Sequence, residues 1–232
     1  MKKQVFAAAK AIVPMRVRER VRTLGPYRWV FRKLFAEDTR YHDRFYTQEY
    51  YDGEMKGLAG QSADPMARAI VERFRPASVI DVGCGTGEYL AAFGRLGVGA
   101  RGVELADAAL RACRDKGVEA RKFDLTKEPS LPWKADLAYS FEVAEHLPEK
   151  FANRYVGMLT GAASRHVVIT AASPGQEGVN HFNCRPKSYW IDLFAAAGFA
   201  FDGPQTEQWE AENKRLNLAP WFWLNLLVFA RR

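Results

Sequence analysis

Apolar positions along this chain change their spacing several times, and the changes mark out its elements. Over Ala63–Phe74 they recur every three or four residues, which predicts a helix, and the short β-branched run Ala77–Val82 predicts a strand. The same alternation continues. Helices are expected at 87–96, Ala106–Lys116, Pro148–Leu159 and Pro186–Ala197, and strands at Gly99–Glu104, Val118–Phe123, Asp136–Phe141 and His166–Thr170. A Pro-bearing loop, Lys127–Trp133, separates the third strand from the fourth. Repeated strand–helix units imply a parallel sheet covered on both faces. Two closing strands, near Phe199–Asp202 and Trp221–Ala230, are separated only by an expected loop, which implies an antiparallel hairpin at one edge. The apolar tail from Pro220 to Phe229 is too short to span a bilayer and reads as a buried strand of that hairpin.

The first strand runs into Asp81-Val82-Gly83-Cys84-Gly85-Thr86-Gly87, with Glu88–Phe93 following at helical spacing. Glycines let backbone approach a ligand where a Cβ would collide, and they tolerate positive φ. A strand, glycine turn and helix in succession place that ligand at a helix N-terminus, beyond the carboxyl end of a parallel strand. The spacing lacks the last glycine position of a dinucleotide fingerprint, and no Lys-Ser/Thr follows to make a P-loop. The run closely resembles motif I of the class I S-adenosylmethionine (SAM) methyltransferases, and the resemblance extends over residues 63–232. It implies an α/β, Rossmann-like fold: a seven-stranded, mostly parallel sheet with a C-terminal antiparallel hairpin, helices on both faces and an N-terminal helical extension. Residues 1–62 would then be a basic extension and cap, and 63–232 the methyltransferase domain. Asp81, Gly83, Cys84, Gly85 and Gly87 are expected at the methionyl end of the cofactor. Glu104, ending the second strand about 20 residues on, is placed to accept the ribose hydroxyls. The resemblance also puts Asp124 at the adenine amino group and Phe141 along the cofactor. An aromatic cluster at Tyr41, Phe45, Tyr46, Tyr50 and Tyr51 reads either as a cap folded over the cofactor, with Tyr46 on it, or as plain packing of an entry segment.

The acceptor chemistry must come from elsewhere. Ser140–Pro148 contains Glu142-x-x-Glu145-His146 at the end of the fourth strand, and His181 lies in the loop Ala171–Arg185 after the fifth. Loops after neighbouring parallel strands converge on one sheet edge, so the two groups can meet. Two carboxylates with two imidazoles suit a divalent ion such as Mg²⁺ or Mn²⁺ with positions open to substrate. The E-x-x-E-H spacing with a distant histidine resembles the metal site of small-RNA 3′-terminal 2′-O-methyltransferases, and E-x-x-E-H alone resembles ubiquinone-biosynthesis O-methyltransferases. Those resemblances imply Glu142, Glu145, His146 and His181 as metal ligands, with Glu142, His146 and His181 in catalysis. The plainer reading stays open beside them: a substrate-proximal histidine without metal, and Glu142 as a cap or cofactor contact.

Charge is spread unevenly. The chain carries +7, whereas residues 1–35 hold ten Lys/Arg and one acid, so the remainder is slightly negative. Helical pieces broken at Pro14 and Gly25-Pro26 carry that charge, with Val17, Val21, Leu24, Trp29, Val30, Leu34 and Phe35 on their apolar positions. The segment reads as a peripheral membrane arm, a nucleic-acid or glycan contact, or a solvated lid or homodimer contact. A near-neutral body argues against a broad nucleic-acid track. Three cysteines, 84, 113 and 184, form no even framework, which fits a reducing cytoplasm, with peripheral placement at the inner membrane face as the variant.

The stretch His181–Trp190 with the tail Leu226–Phe229 resembles methyltransferases associated with polysaccharide biosynthesis, with Tyr189, Trp190 and Trp209 as sugar platforms and Asn180, Asn183 and Arg185 as polar contacts. Each has core packing as its alternative. The leading expectation is O-methylation of a saccharide or polyol as small-molecule or glycan acceptor. An RNA 2′-O-methyltransferase, a catechol or phenol methyltransferase, and a non-catalytic SAM-binding module docked on a membrane remain beside it.

Overall fold

The expected alternation of strand and helix is realised as one seven-stranded sheet. The computed structural model describes residues 46–47, 51, 57–176, 178 and 180–232; the basic segment 1–35 and Tyr41, Phe45 and Tyr50 of the aromatic cluster lie outside the described residues. In chain order the elements are α1 (Leu58–Phe74), β1 (Ser78–Val82), α2 (Glu88–Arg95), β2 (Gly99–Glu104), α3 (Asp107–Asp115), β3 (Ala120–Lys122) and β4 (Ala135–Phe141). Two single 3₁₀ turns, Ala144–His146 and Glu149–Phe151, lead to α4 (Ala152–Ala162) and β5 (Ala163–Thr170). Then come α5 (Lys187–Ala196), β6 (Phe199–Phe201), α6 (Gly203–Arg215), α7 (Trp221–Leu224) and β7 (Leu226–Arg231).

The sheet order is β3-β2-β1-β4-β5-β7-β6. The first five strands are parallel, and β7 pairs antiparallel with both β5 and β6. Order reverses between β1 and β4, a switch point where parallel sheets open a crevice at their carboxyl ends. Alternate strand residues feed two cores. Ile80, Val82, Ala138, Val167 and Ile169 pack with Tyr155, Trp190 and Phe194 on one face. Val79, Leu137, Tyr139 and Val168 pack with Met66, Ile70, Phe93, Trp209 and Phe222 on the other.

Three expectations are corrected. The closing antiparallel pair is present, but α6 and α7 stand between its strands where a loop was expected. The segment Gly203–Arg215 is polar along nearly its whole length, so it shows no apolar period; Asp202 caps it by accepting from the Gln205 amide at 3.0 Å, and Trp209 anchors it in the core together with the buried polar Thr206 and Asn213. The expected strand from Trp221 instead begins at Leu226, because Pro220 starts a turn of helix over 221–224. Finally, Trp190 and Trp209 are 1% and 0% exposed, so they are core residues and not sugar platforms.

Gly102 shows how tightly β2 meets the glycine turn. A Cβ there would lie 2.6 Å from Cys84 Sγ and 2.7 Å from Leu90 Cδ1. Gly102→Ala is therefore expected to lower stability by about 1–3 kcal/mol through overpacking, read as a lower urea midpoint with an unchanged slope.

Candidate active site

The turn after β1 adopts the backbone its glycines allow. Gly83, Gly85 and Gly87 have φ of 83°, 51° and 79°, in the left-handed region. A Cβ on Gly83 would meet Val143 Cγ2 at 2.5 Å, whereas one on Gly85 would meet nothing within 4 Å. The turn is thus packed from below at Gly83 and open at Gly85, as a ligand cradle requires. The Gly83 and Cys84 amides donate to the Val103 carbonyl at 2.9 and 3.1 Å, which fastens the turn to β2. The Cys84 thiol points into the core with Leu90 and Cys113, and contact with Cys113 together with burial pushes it well above its usual pKa. Cys84 therefore offers a ligand only its backbone.

Glu104 is buried at the end of β2 and accepts three amides: Gly85 at 2.9 Å, Leu105 at 2.7 Å and Ala106 at 2.8 Å. A carboxylate has about four acceptor sites, so Glu104 shapes the cradle and keeps capacity on Oε2, the oxygen that takes only Gly85. Asp124 Oδ1 accepts from the Thr126 amide and hydroxyl at 2.9 and 2.6 Å, and Lys127 Nζ stands 2.8 Å from Oδ2. Its carboxylate sits beyond β3, as the resemblance implies, and is turned into the loop that follows. Asp81 is buried opposite Tyr139 in the β1–β4 register. Burial, reinforced by the Glu104 charge, raises its pKa to about 8. A cationic group brought to Asp81 would relieve that burial, which is what the ammonium of a methionyl cofactor provides. Phe141 packs edge-on to Tyr89 and Phe222 at 5.3 and 5.1 Å between centroids, closing the apolar wall beside the cradle.

On the far side of the switch point, the turn after β4 and the loop after β5 are joined. The Phe182 and Asn183 amides both donate to the Glu145 carbonyl, at 2.7 and 3.0 Å. His146 Nδ1 lies 3.2 Å from the Asn180 carbonyl and 3.2 Å from the Tyr46 hydroxyl. His181 Nδ1 lies 3.3 Å from the Gln176 carbonyl, and the two imidazoles stand edge to face with centroids 4.9 Å apart. A carbonyl only accepts, so each of these carbonyl contacts is a hydrogen bond when the ring carries its proton on Nδ1. Glu145, His146 and His181 each offer a ligand atom within 4.8 Å of the others. Glu145 is 0% exposed, and neither of its carboxylate oxygens makes a hydrogen bond among the described residues. Burial, with the Glu142 carboxylate beside it, holds its pKa well above the usual carboxylate range. Such a carboxylate, facing two imidazoles, fits a divalent cation by donor chemistry.

Glu142 stands outside that group of three. Its backbone has φ of 53° and its amide donates to Thr170 Oγ1 at 2.9 Å. Its carboxylate accepts from Asn225 Nδ2 at 3.1 Å and Gln176 Nε2 at 3.2 Å, and burial raises its pKa. Of the four ligands the spacing suggested, the structure gathers three and commits the fourth to hydrogen bonds. Tyr46 meets His146 through its hydroxyl, while Tyr51 packs against Ala106, Ala108 and Ala109 at the start of α3. Asn180 contributes its carbonyl, Asn183 is buried, and Arg185 lies over Tyr189 at 5.3 Å. Gly178 was not anticipated: a Cβ there would overlap the His181 imidazole, so only glycine lets the backbone pass that ring. Asn225 was also missed, although a lone amide inside the apolar run 221–229 is itself a sign of a buried polar contact.

Residues 51–156 match the family model described as a methyltransferase domain. No curated protein matches the chain in sequence. Among solved structures, SAM-bound magnesium protoporphyrin IX methyltransferase from Synechocystis superposes with a TM-score of 0.58 at 15% identity, covering 87% of this chain and 94% of that one. A SAM-bound amino pentose methyltransferase of calicheamicin biosynthesis from Micromonospora echinaspora gives 0.60 at 20%, covering 78% and 94%. A sugar N-methyltransferase from Streptoalloteichus gives 0.59 at 19%, covering 82% and 92%. Among the described residues no helix is long and apolar enough to cross a membrane.

The Asp81 carboxyl gives this site a pH signature. An unfolded aspartate ionises near 3.8 and Asp81 in the fold near 8, so the folded protein retains a proton that the unfolded chain has released. Stability from this group is therefore full below pH 3.8 and is lost as pH rises to 8, with a slope of at most about 1.4 kcal/mol per pH unit. Asp81→Asn removes this slope, and urea unfolding of both proteins across that window measures the difference.

Proposed function

We propose that this chain is a class I SAM-dependent methyltransferase, a reading supported by the methyltransferase-domain match over residues 51–156 and by the fold shared with SAM-bound methyltransferases, and that it methylates a hydroxyl of a saccharide or related polyol with a divalent ion bound by Glu145, His146 and His181. The observation that carries this reading is the Glu145 carboxylate, fully buried, with no hydrogen-bond partner at bonding geometry among the described residues, and set against two imidazoles. Two nitrogen donors with one carboxylate favour a first-row ion such as Mn²⁺ over Mg²⁺, which prefers oxygen. The bound cofactor supplies an electrophilic methyl on a sulfonium. A bound ion supplies positive charge that acidifies an acceptor hydroxyl, which is a poor nucleophile while protonated.

The residues of the chain do the rest by position. The Gly83–Gly87 turn and Glu104 define the cradle on one side of the β1–β4 switch point, and the three-residue set lies on the other. Methyl transfer needs the acceptor oxygen in line with the methyl group, so holding the two sides in fixed relation supplies much of the rate. The carbonyls of Asn180 and Gln176 hold protons on the Nδ1 atoms of His146 and His181. Tyr46 meets His146 through its hydroxyl, a place from which it covers the acceptor side and keeps water out. A saccharide is favoured over RNA by the near-neutral body and by the sugar-modifying neighbours, of which two act on an amino pentose or a sugar nitrogen by name.

The test is transfer of a labelled methyl group from SAM to a panel of vicinal-diol saccharides, catechols, amino sugars and RNA with a free 3′ end. Transfer to a vicinal diol, abolished by a chelator and restored by Mn²⁺, is expected. Glu145→Gln should lower kcat/KM by about 10²-fold or more while SAM affinity stays within threefold. Chelator-insensitive transfer, or transfer confined to amines or RNA, would overturn the proposal.

A further inference from the structure

Asn225 sits at the junction of α7 and β7, at the carboxyl edge of the sheet, and is 0% exposed. Its Nδ2 donates to Glu142 Oε1 at 3.1 Å and to Gln176 Oε1 at 2.8 Å, and its Oδ1 accepts from Ser173 Oγ at 3.4 Å. Gln176 in turn donates from Nε2 to Glu142 Oε2 at 3.2 Å. The three side chains thus close a ring of donors and acceptors, with both Glu142 oxygens and both ends of the Gln176 amide engaged. The main chain of Gln176 then takes up the consequence, because its carbonyl faces His181 Nδ1 at 3.3 Å.

From this geometry we infer that Asn225 is a positioning residue that fixes His181 through Gln176, and that Glu142 acts as the anchor of that clamp and not as a metal ligand. The loop from 171 to 186 leaves the end of β5 and must bring His181 back to the turn after β4. Hydrogen bonds from Phe182 and Asn183 to Glu145 hold one side of the histidine. The clamp holds the other, at Gln176. With its side chain pinned at both ends, Gln176 has a single backbone placement, and its carbonyl fixes which ring nitrogen of His181 carries the proton. Partners of this kind, one bond removed from a ligand, commonly govern affinity by 10–100-fold. Glu142 suits the anchor role: its positive φ turns the side chain away from the strand direction, and Thr170 secures its amide at 2.9 Å.

The inference uses the proposed function only for what His181 serves; the placement of the ring is testable without metal, cofactor or substrate. The experiment records long-range ¹H–¹⁵N spectra of the histidines in the full metal-free chain, which report the tautomer, and the Mn²⁺ dissociation constant. Asn225→Asp keeps the shape but turns the donor facing both Glu142 and Gln176 into an acceptor. The variant is expected to lose the single Nδ1–H tautomer of His181 and to weaken Mn²⁺ at least tenfold, with the His146 signals and SAM affinity changed little. A residue important only for packing would leave the His181 tautomer unchanged. Gln176→Ala, at a partly exposed position, keeps the carbonyl while cutting the clamp, and carries the test if Asn225→Asp does not fold. Unchanged His181 signals in Asn225→Asp or Gln176→Ala would overturn the clamp. Wild-type protein that fails to bind Mn²⁺ while the spectra respond as expected would overturn the metal reading and leave the clamp standing.

Discussion

Two amides donating to one carbonyl join the halves of this active site. Phe182 and Asn183, from the loop after β5, meet the Glu145 carbonyl in the turn after β4. Without that junction His181 would belong to a long loop beyond a sheet edge, and Glu145 and His146 to a lone turn. The parallel pairing of β4 with β5 brings both loops to the same edge, and the junction closes the remaining gap. The cofactor side needs no equivalent device, because its glycine turn is tied directly to β2 by the Val103 carbonyl and the Glu104 carboxylate. One side of the site is therefore set by the sheet and the other by loop-to-loop hydrogen bonds.

The second constraint is electrostatic. Asp81, Glu142 and Glu145 are acids taken out of water at one sheet edge, and burial raises the pKa of each. The environments differ. Asp81 faces the cradle beside Tyr139, Glu142 is satisfied by two amide side chains, and Glu145 has no hydrogen bond to its carboxylate among the described residues. Groups held this way lower the stability of the empty fold and gain most when a cation arrives, which is how binding sites commonly draw on folding free energy. Under the proposed function, the cofactor's ammonium and a divalent ion would be the cations to meet these acids.

The succession of strands and helices along the chain and the glycine turn were legible in the sequence because both are local. Glycines at 83, 85 and 87 announce positive φ one residue at a time, and the change between helical and strand spacing needs only a short window. E-x-x-E-H with a later histidine placed the two groups at one edge, since neighbouring parallel strands deliver their loops there. It did not tell that Glu142 would turn away: its partners, Gln176 and Asn225, lie 34 and 83 residues further along the chain. Helix α6 escaped notice because Trp209 alone of its turns is deeply anchored by an aromatic ring, leaving no apolar stripe to read. Gly178 matters only through the ring it passes, a contact that exists in three dimensions alone.

The most direct measurement is pulsed electron paramagnetic resonance on the full chain titrated with Mn²⁺, comparing natural-abundance with ¹⁵N-histidine-labelled protein. One saturable site per chain, coupled to two imidazole nitrogens, with one coupling lost in His181→Ala and both kept at saturation in Glu142→Ala, though at weaker affinity, is the predicted result. Mn²⁺ that fails to saturate a site, or that binds with no histidine coupling, would contradict a metal centre at Glu145, His146 and His181.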